Sequence, residues 1–259
     1  MNSKLVISVS GKGGAGKTTI VALLLKWLIQ NTEEVMLVVD ADPATNLPDV
    51  LGVKIERTVG SVSKQLKDQI DLGTVSLTVP KKDLLEAWVF QTLIEEERFD
   101  LLAMGRSEGE GCYCFVNNVL TRILDNLTNN YSITLLDMEA GLEHLSRKTD
   151  RDVDVMLIVT DPSRMGFETA KRIIELAKEV HIDVKRALLI GNRFNEALSG
   201  ALVEASKEIN IELAGYLPID ENVAAFNIEG KPLLELADNS PAYMAIEQIA
   251  KKIGLDKLR

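Results

Sequence analysis

The stretch GKGGAGKTT, residues 11–19, carries the densest chemistry in the chain. It satisfies G-x-x-x-x-G-K-[ST] and stands after an apolar run and before a helical pattern, where a phosphate-binding loop must sit. Gly13, Gly14 and Gly16 let backbone amides curl around phosphate oxygens, and the helix N-terminus adds positive potential. Lys17 reaches for the terminal phosphates and the Thr18 hydroxyl for Mg²⁺, with Gly11, Ala15 and Thr19 completing the cradle. Three carboxylates stand at the ends of apolar runs: Asp40 and Asp42 in VVDADP, and Asp137 in ITLLDM. Such residues also serve as helix caps and turn formers. The other concentration is GEGCYC, residues 109–114, which holds both cysteines of the 259-residue chain. They are a redox pair, half of a metal site, or two small apolar side chains. A bond between Cys112 and Cys114 would close a very small, strained ring.

Seven short apolar runs must position these groups: KLVISVS, EVMLVVD, FDLLAMG, ITLLDM, VDVMLIVT, RALLIGN and LAGYLP read as strands. Their near-continuous hydrophobicity predicts strands covered on both faces, as in a parallel sheet. Between them Ile20, Leu23, Leu24, Trp27 and Leu28 repeat at helical spacing, as do Val116, Val119, Leu120, Ile123 and Leu127. The expected fold is therefore α/β, one doubly wound and mostly parallel sheet forming a single domain. Residues 50–98 fall outside this rhythm, with helical fragments VGSVSKQLKDQI and LLEAWVFQTLIEEERF, and read as an insertion.

A formal net charge of −10 opposes association with nucleic acid or with anionic lipid. The N-terminal apolar run is too short for a signal peptide, and no run approaches the ~20 residues of a spanning helix, so a cytoplasmic location is expected. In a reducing compartment the cysteines are free thiols or metal ligands.

The segment KGGAGKTT, residues 12–19, resembles the deviant Walker A family of P-loop ATPases, which includes MinD, ParA and the nitrogenase iron protein. The resemblance extends over residues 4 to about 225. It implies ATP and ADP as ligands, ATP hydrolysis, and a homodimer in which Lys12 crosses to the partner's phosphates. It also implies that Asp42 orients the attacking water, that Asp40 and Asp137 serve the Mg²⁺ shell, and that the Gly141 backbone meets the γ-phosphate. LIGNRF and GYLPIDENV resemble the adenine-side segments, with Asn192 and Arg193 at the base and Pro218 to Asp220 closing over it. Within that family, MGRSEGEGCYCFVNN and DMEAGLEHLSR resemble the CooC-type nickel-insertion ATPases of carbon monoxide dehydrogenase and their acetyl-CoA synthase counterparts.

A helical pattern begins directly after Cys114, which puts both thiols at a helix N-terminus and favours the metal-binding thiolate. Two sulfurs cannot complete a tetrahedral or planar shell, and a second chain in the implied dimer would supply two more. The expected ion is Ni²⁺, with Zn²⁺ as the alternative, and the expected partner is a nickel enzyme of the carbon monoxide dehydrogenase or acetyl-CoA synthase type. His144 reads as structural, His181 as surface, Arg106 and Glu108 as ordering the cysteine loop, and Tyr113 as a dimer contact. Two other readings stand: a positioning ATPase of the MinD or ParA kind, with a C-terminal stripe Ile246, Ile249, Ile253 and Leu258 offered to a membrane surface, and an electron-transfer ATPase with a bridging iron-sulfur cluster.

Overall fold

Strands that are apolar on both faces need helices on both sides, and this arrangement is present. A computed structural model of the chain describes residues 4–74, 80–106, 127–139, 153–179 and 182–257. Eight strands form one sheet: β1 (Leu5–Gly11), β2 (Met36–Asp40), β3 (Ile94–Glu95), β4 (Phe99–Ala103), β5 (Ile133–Asp137), β6 (Val153–Thr160), β7 (Val184–Asn192) and β8 (Glu212–Leu217). Their order is β3-β4-β2-β5-β1-β6-β7-β8, and every pairing is parallel except β3 with β4. The seven predicted strands are all present. β3 was not expected: residues 84–99 read as one helical fragment, but the helix ends at Phe90. There the Thr92 hydroxyl donates to the Val89 carbonyl at 2.7 Å, and the chain turns back to pair Ile94 with Leu101.

Alternate strand residues feed two cores. Met36, Val38, Leu135, Leu157 and Val159 face helices α1 (Lys17–Asn31), α2 (Leu47–Leu51) and α8 (Pro241–Ile253). Leu37, Val39, Leu136, Met156 and Ile158 face α3 (Val59–Asp71), α4 (Lys81–Phe90), α5 (Arg164–Glu179) and α6 (Glu196–Glu208). The insertion-like region thus contributes α3 and α4 to the second layer through Val59, Val62, Leu66, Leu85 and Val89. Helix α1 goes beyond its predicted stripe: every residue from Ile20 to Leu28 is buried, because α8 and a turn at Leu233–Glu235 cover the side away from the sheet. Such all-round burial is what a helix apolar on every side requires.

The C-terminal stripe faces inward. Ile246, Ile249 and Ile253 are each at most 4% exposed, and each such burial stabilises by roughly 1.5–3 kcal/mol. They close the first core and leave no membrane-directed face on those residues; Leu258 lies outside the described residues. Among the described residues no helix is long and apolar enough to cross a membrane.

One carboxylate ties together the elements beyond β8. Asp220 accepts the Asn222 N–H at 2.9 Å to start α7 (Glu221–Glu229), and its other oxygen accepts the Ala242 N–H at 2.8 Å at the start of α8 and the Ser240 hydroxyl. Burial alone would push this carboxyl up, but the Ser240 hydroxyl and the two amides hold it below the usual range. Its contribution is therefore present above the unfolded-state value near 4 and lost as pH falls through the lower folded value. Asp220→Ala removes two helix caps and should cost about 2–3 kcal/mol at pH 7. Urea denaturation should show this gap narrowing in acid.

Candidate functional site

The carboxyl ends of the parallel strands meet along one edge of the sheet. β1 lies at the point where the order reverses, with β5, β2 and β4 to one side and β6, β7 and β8 to the other. A doubly wound sheet binds ligands in the crevice at such a switch point. Gly11, Asp40, Asp137 and Asn192 are all last residues of strands, so the register brings four predicted site residues to this edge.

Residues 11–19 turn from β1 into α1. Gly16, at φ +93°, is the residue before the helix, and a Cβ there would collide with the Asn192 side-chain amide, so the position demands glycine on both counts. No side chain caps α1 and its first turn holds no acid. Its leading N–H groups are thus open to an anion, and Lys17 beside them is buried. Asn192 donates its amide to the Ala15 carbonyl at 2.8 Å, so the end of β7 braces the loop.

On the other flank are the acids. Thr18 donates to one Asp137 oxygen at 2.7 Å. The second Asp137 oxygen is buried with no hydrogen-bond partner among the described residues. Asp40 stands beside Asp137 in register across β2 and β5. Its two oxygens are occupied, accepting the Asp42 and Leu47 N–H groups at 3.0 Å each. Asp42 is half-buried and accepts the Ala44 N–H at 2.8 Å. Burial pushes Asp137 up to about 7, with the neighbouring Asp40 charge adding to it and Thr18 opposing. Burial likewise pushes Asp40 up to about 6, against the two loop amides.

An orphan buried carboxylate oxygen next to a threonine hydroxyl fits Mg²⁺. Thr18 and Asp137 would hold it, with phosphate oxygens and water completing the shell, since this ion takes few protein ligands. Bound there, the ion would neutralise charge on the phosphates. Asp40 also shapes the loop that carries Asp42, through one backbone N–H on each of its oxygens.

Thr19, Asn192, Arg193, Pro218 and Asp220 line a single cavity of about 200 Å³, together with Val223, Ala224, Asn227 and Ala242. Arg193 is exposed and holds a left-handed φ of +62° at the turn after β7. Val223 falls within the GYLPIDENV segment; Ala224, Asn227 and Ala242 were not read from sequence, and Ala242 is tied to the rim by its N–H to Asp220 at 2.8 Å. Lys12 forms an ion pair of 3.0 Å with Asp161, a residue that sequence reading did not single out. Cys112, Cys114, Tyr113, Glu108, Gly141, His144 and His181 lie outside the described residues, and Arg106 is exposed at the end of a described segment.

This combination of switch-point crevice, glycine-rich loop, uncapped helix and strand-end acids defines a nucleotide-binding α/β protein. The chain belongs to the CobQ/CobB/MinD/ParA nucleotide binding domain family, which matches residues 6–233. It is 43% identical, over 96% of its length and 98% of the relative's, to an uncharacterized ATP-binding protein of Methanocaldococcus jannaschii. It is 31% identical, over 96% of its length and 97% of the relative's, to the carbon monoxide dehydrogenase accessory protein CooC of Rhodospirillum rubrum. Its fold is similar to that of a ParA family ATPase from Chlorobium tepidum, with a TM-score of 0.71 at 20% identity, covering 98% of this chain and 100% of that one.

The raised Asp137 carboxyl has a testable sign. Its stabilising contribution is fully present below the unfolded value near 4 and is lost as pH rises through about 7. In Mg²⁺-free buffer the wild type should lose stability relative to Asp137→Asn across this window, read from urea midpoints. Mg²⁺ with nucleotide at pH 7.5 should stabilise the wild type more than the variant.

Proposed function

We propose that this protein is an ATPase that works as a homodimer, binds one nickel ion through Cys112 and Cys114 of both chains, and delivers it to a carbon monoxide dehydrogenase or acetyl-CoA synthase type enzyme. The observation that carries this reading is the C-x-C pair, the only cysteines present, in a chain whose near-full length aligns with CooC. Thiolates suit Ni²⁺ and also Zn²⁺, and four of them from two chains would close the shell.

The nucleotide half of the reading rests on the site geometry. Gly13, Gly14 and Gly16 with the start of α1 hold the phosphates, Lys17 draws charge from the terminal ones, and the cavity at Asn192 and Pro218 receives the base. Asp42 orients the attacking water from a loop that Asp40 keeps in shape. Lys12 meets the partner's phosphates. A chain of −10 charge is not expected to hold nucleic acid or an anionic membrane stably. The inward-facing Ile246, Ile249 and Ile253 take away the feature that most favoured a positioning ATPase.

The test is metal content and mass after nickel loading under anaerobic, reducing conditions. Wild type should retain about one nickel per two chains, in a dimer. The Cys112→Ala/Cys114→Ala variant should retain none while still binding ATP. Equal nickel in both proteins, or none in either, sinks the shared site.

A further inference from the structure

Most polar side chains around the cavity at Asn192 and Pro218 are already engaged. Among the described residues that line it, Asp220 is the only acid. Its Oδ1 accepts the Asn222 N–H at 2.9 Å and the Asn222 amide at 3.1 Å, while its Oδ2 accepts the Ala242 N–H and the Ser240 hydroxyl. Arg193 is exposed and carries donors only. Two amides line the cavity. Asn192 is 6% exposed and gives an N–H to the Ala15 carbonyl, which braces the phosphate loop. Asn227 is exposed, and its side chain makes no hydrogen bond to another described residue.

Helix α7 holds that free amide in a fixed place. Val223, Ala224 and Asn227 recur at helical spacing and line the cavity together. Val223 and Phe226 rest against the first core. Asp220 caps the start of the helix, and Gly230 at φ +65° ends it, with the Lys231 N–H returning to the Phe226 carbonyl at 2.9 Å. Both ends of a nine-residue helix are thus tied, and Asn227 stands over the cavity with both ends of its amide unengaged.

We infer that Asn227 is the residue that selects the base: its Oδ1 accepts from the 6-amino group of adenine and its Nδ2 donates to N7. This rests on the proposed placement of the base in this cavity. An asparagine amide matches that donor and acceptor with two hydrogen bonds at once. Guanine and hypoxanthine present two acceptors on the same edge, O6 and N7, so one end of the amide is left without a partner whichever way it turns. A free carboxylate to take up the ring N–H and 2-amino group of guanine is also missing, because Asp220 faces the helix ends. The phosphates are the same in all three nucleotides, so the loop at Lys17 holds them alike and the preference among them isolates the base.

Calorimetric titration with Mg²⁺ and adenosine, guanosine or inosine diphosphate tests this on wild type, Asn227→Ala and Ala224→Trp. Wild type should prefer the adenosine nucleotide over each of the other two by about five- to a hundredfold. Asn227→Ala should lose that preference by binding the adenosine nucleotide more weakly while holding the other two within about twofold of wild type. Alanine favours an exposed helical position, and partial unfolding would weaken all three nucleotides together without changing their ratios. Ala224→Trp fills the cavity and should weaken the adenosine nucleotide by at least about tenfold. If it does so while Asn227→Ala keeps the wild-type preference or weakens all three alike, the base lies in the cavity and Asn227 does not select it. A wild type that binds inosine and adenosine diphosphates equally also overturns the assignment, since position 6 is then not distinguished. If Ala224→Trp binds the adenosine nucleotide as wild type does, the base lies elsewhere and both the placement and the assignment fall.

Discussion

The uncapped amino end of α1 is the constraint around which the rest of the molecule is arranged. A helix buried from Ile20 to Leu28 on every side would ordinarily have its first N–H groups satisfied by a side chain, since unpaired donors near the core are costly. Here the residue before it is Gly16, which offers no side chain, and the first turn offers no acid. The helix keeps this open end because its packing against the sheet, α8 and the Leu233–Glu235 turn is extensive enough to hold it without a cap. The positive end is left facing the crevice between strand ends, which is a standing preference for an anion.

The acids on the opposite flank divide the remaining work. Burial pushes both carboxylates toward protonation, and a neighbouring charge adds to it, that of Asp40 at Asp137 and that of Asp42 at Asp40. The arrangement is tolerable because each is treated differently. Asp40 has both oxygens bonded to its own loop, so its charge is absorbed locally and the loop at Asp42 gains a fixed shape. Asp137 is bonded through one oxygen only, and the other has no hydrogen-bond partner among the described residues. Two residues that look equivalent as strand-end aspartates thus differ in their surroundings, one with both oxygens bonded to its loop and one with a single oxygen bonded to Thr18.

Much of this was legible before folding, for identifiable reasons. The seven long strands announce themselves as apolar runs because both sheet faces are covered, and the phosphate loop because its spacing is set by backbone geometry. β3 is two residues long and depends on pairing with β4, so no local pattern marks it. Asp161 lies 149 residues from Lys12, and their meeting follows from β1 being next to β6, which is a matter of topology. Asp220 was read as part of the wall over the adenine ring. It lines the cavity beside Asn192 and Pro218, but its carboxylate is turned to the ends of α7 and α8. The stripe Ile246, Ile249 and Ile253 was equally compatible with a membrane and with a core, and only the packing of α8 on β8 and α1 decides between them.

The nucleotide crevice is also wired to the strand that leads toward the cysteines. At the end of β4 the Met104 N–H donates to the Asp40 carbonyl at 2.8 Å, and the Met104 carbonyl accepts the Gly60 N–H of α3 at 2.8 Å. On the next residue, Gly105 at φ +64° leaves no room for a side chain against Thr58, the residue that caps α3. The chain therefore leaves β4 clamped between the loop-forming acid of the nucleotide site and the amino end of α3. Backbone held on both sides does not move alone: displacement of the Asp40 loop carries Met104 with it or breaks a buried hydrogen bond, which costs about 1–3 kcal/mol. An insertion that looked external to the sheet in sequence thus supplies one jaw of this clamp, and its capping residue Thr58 belongs to the same mechanical unit as the residues around the phosphates.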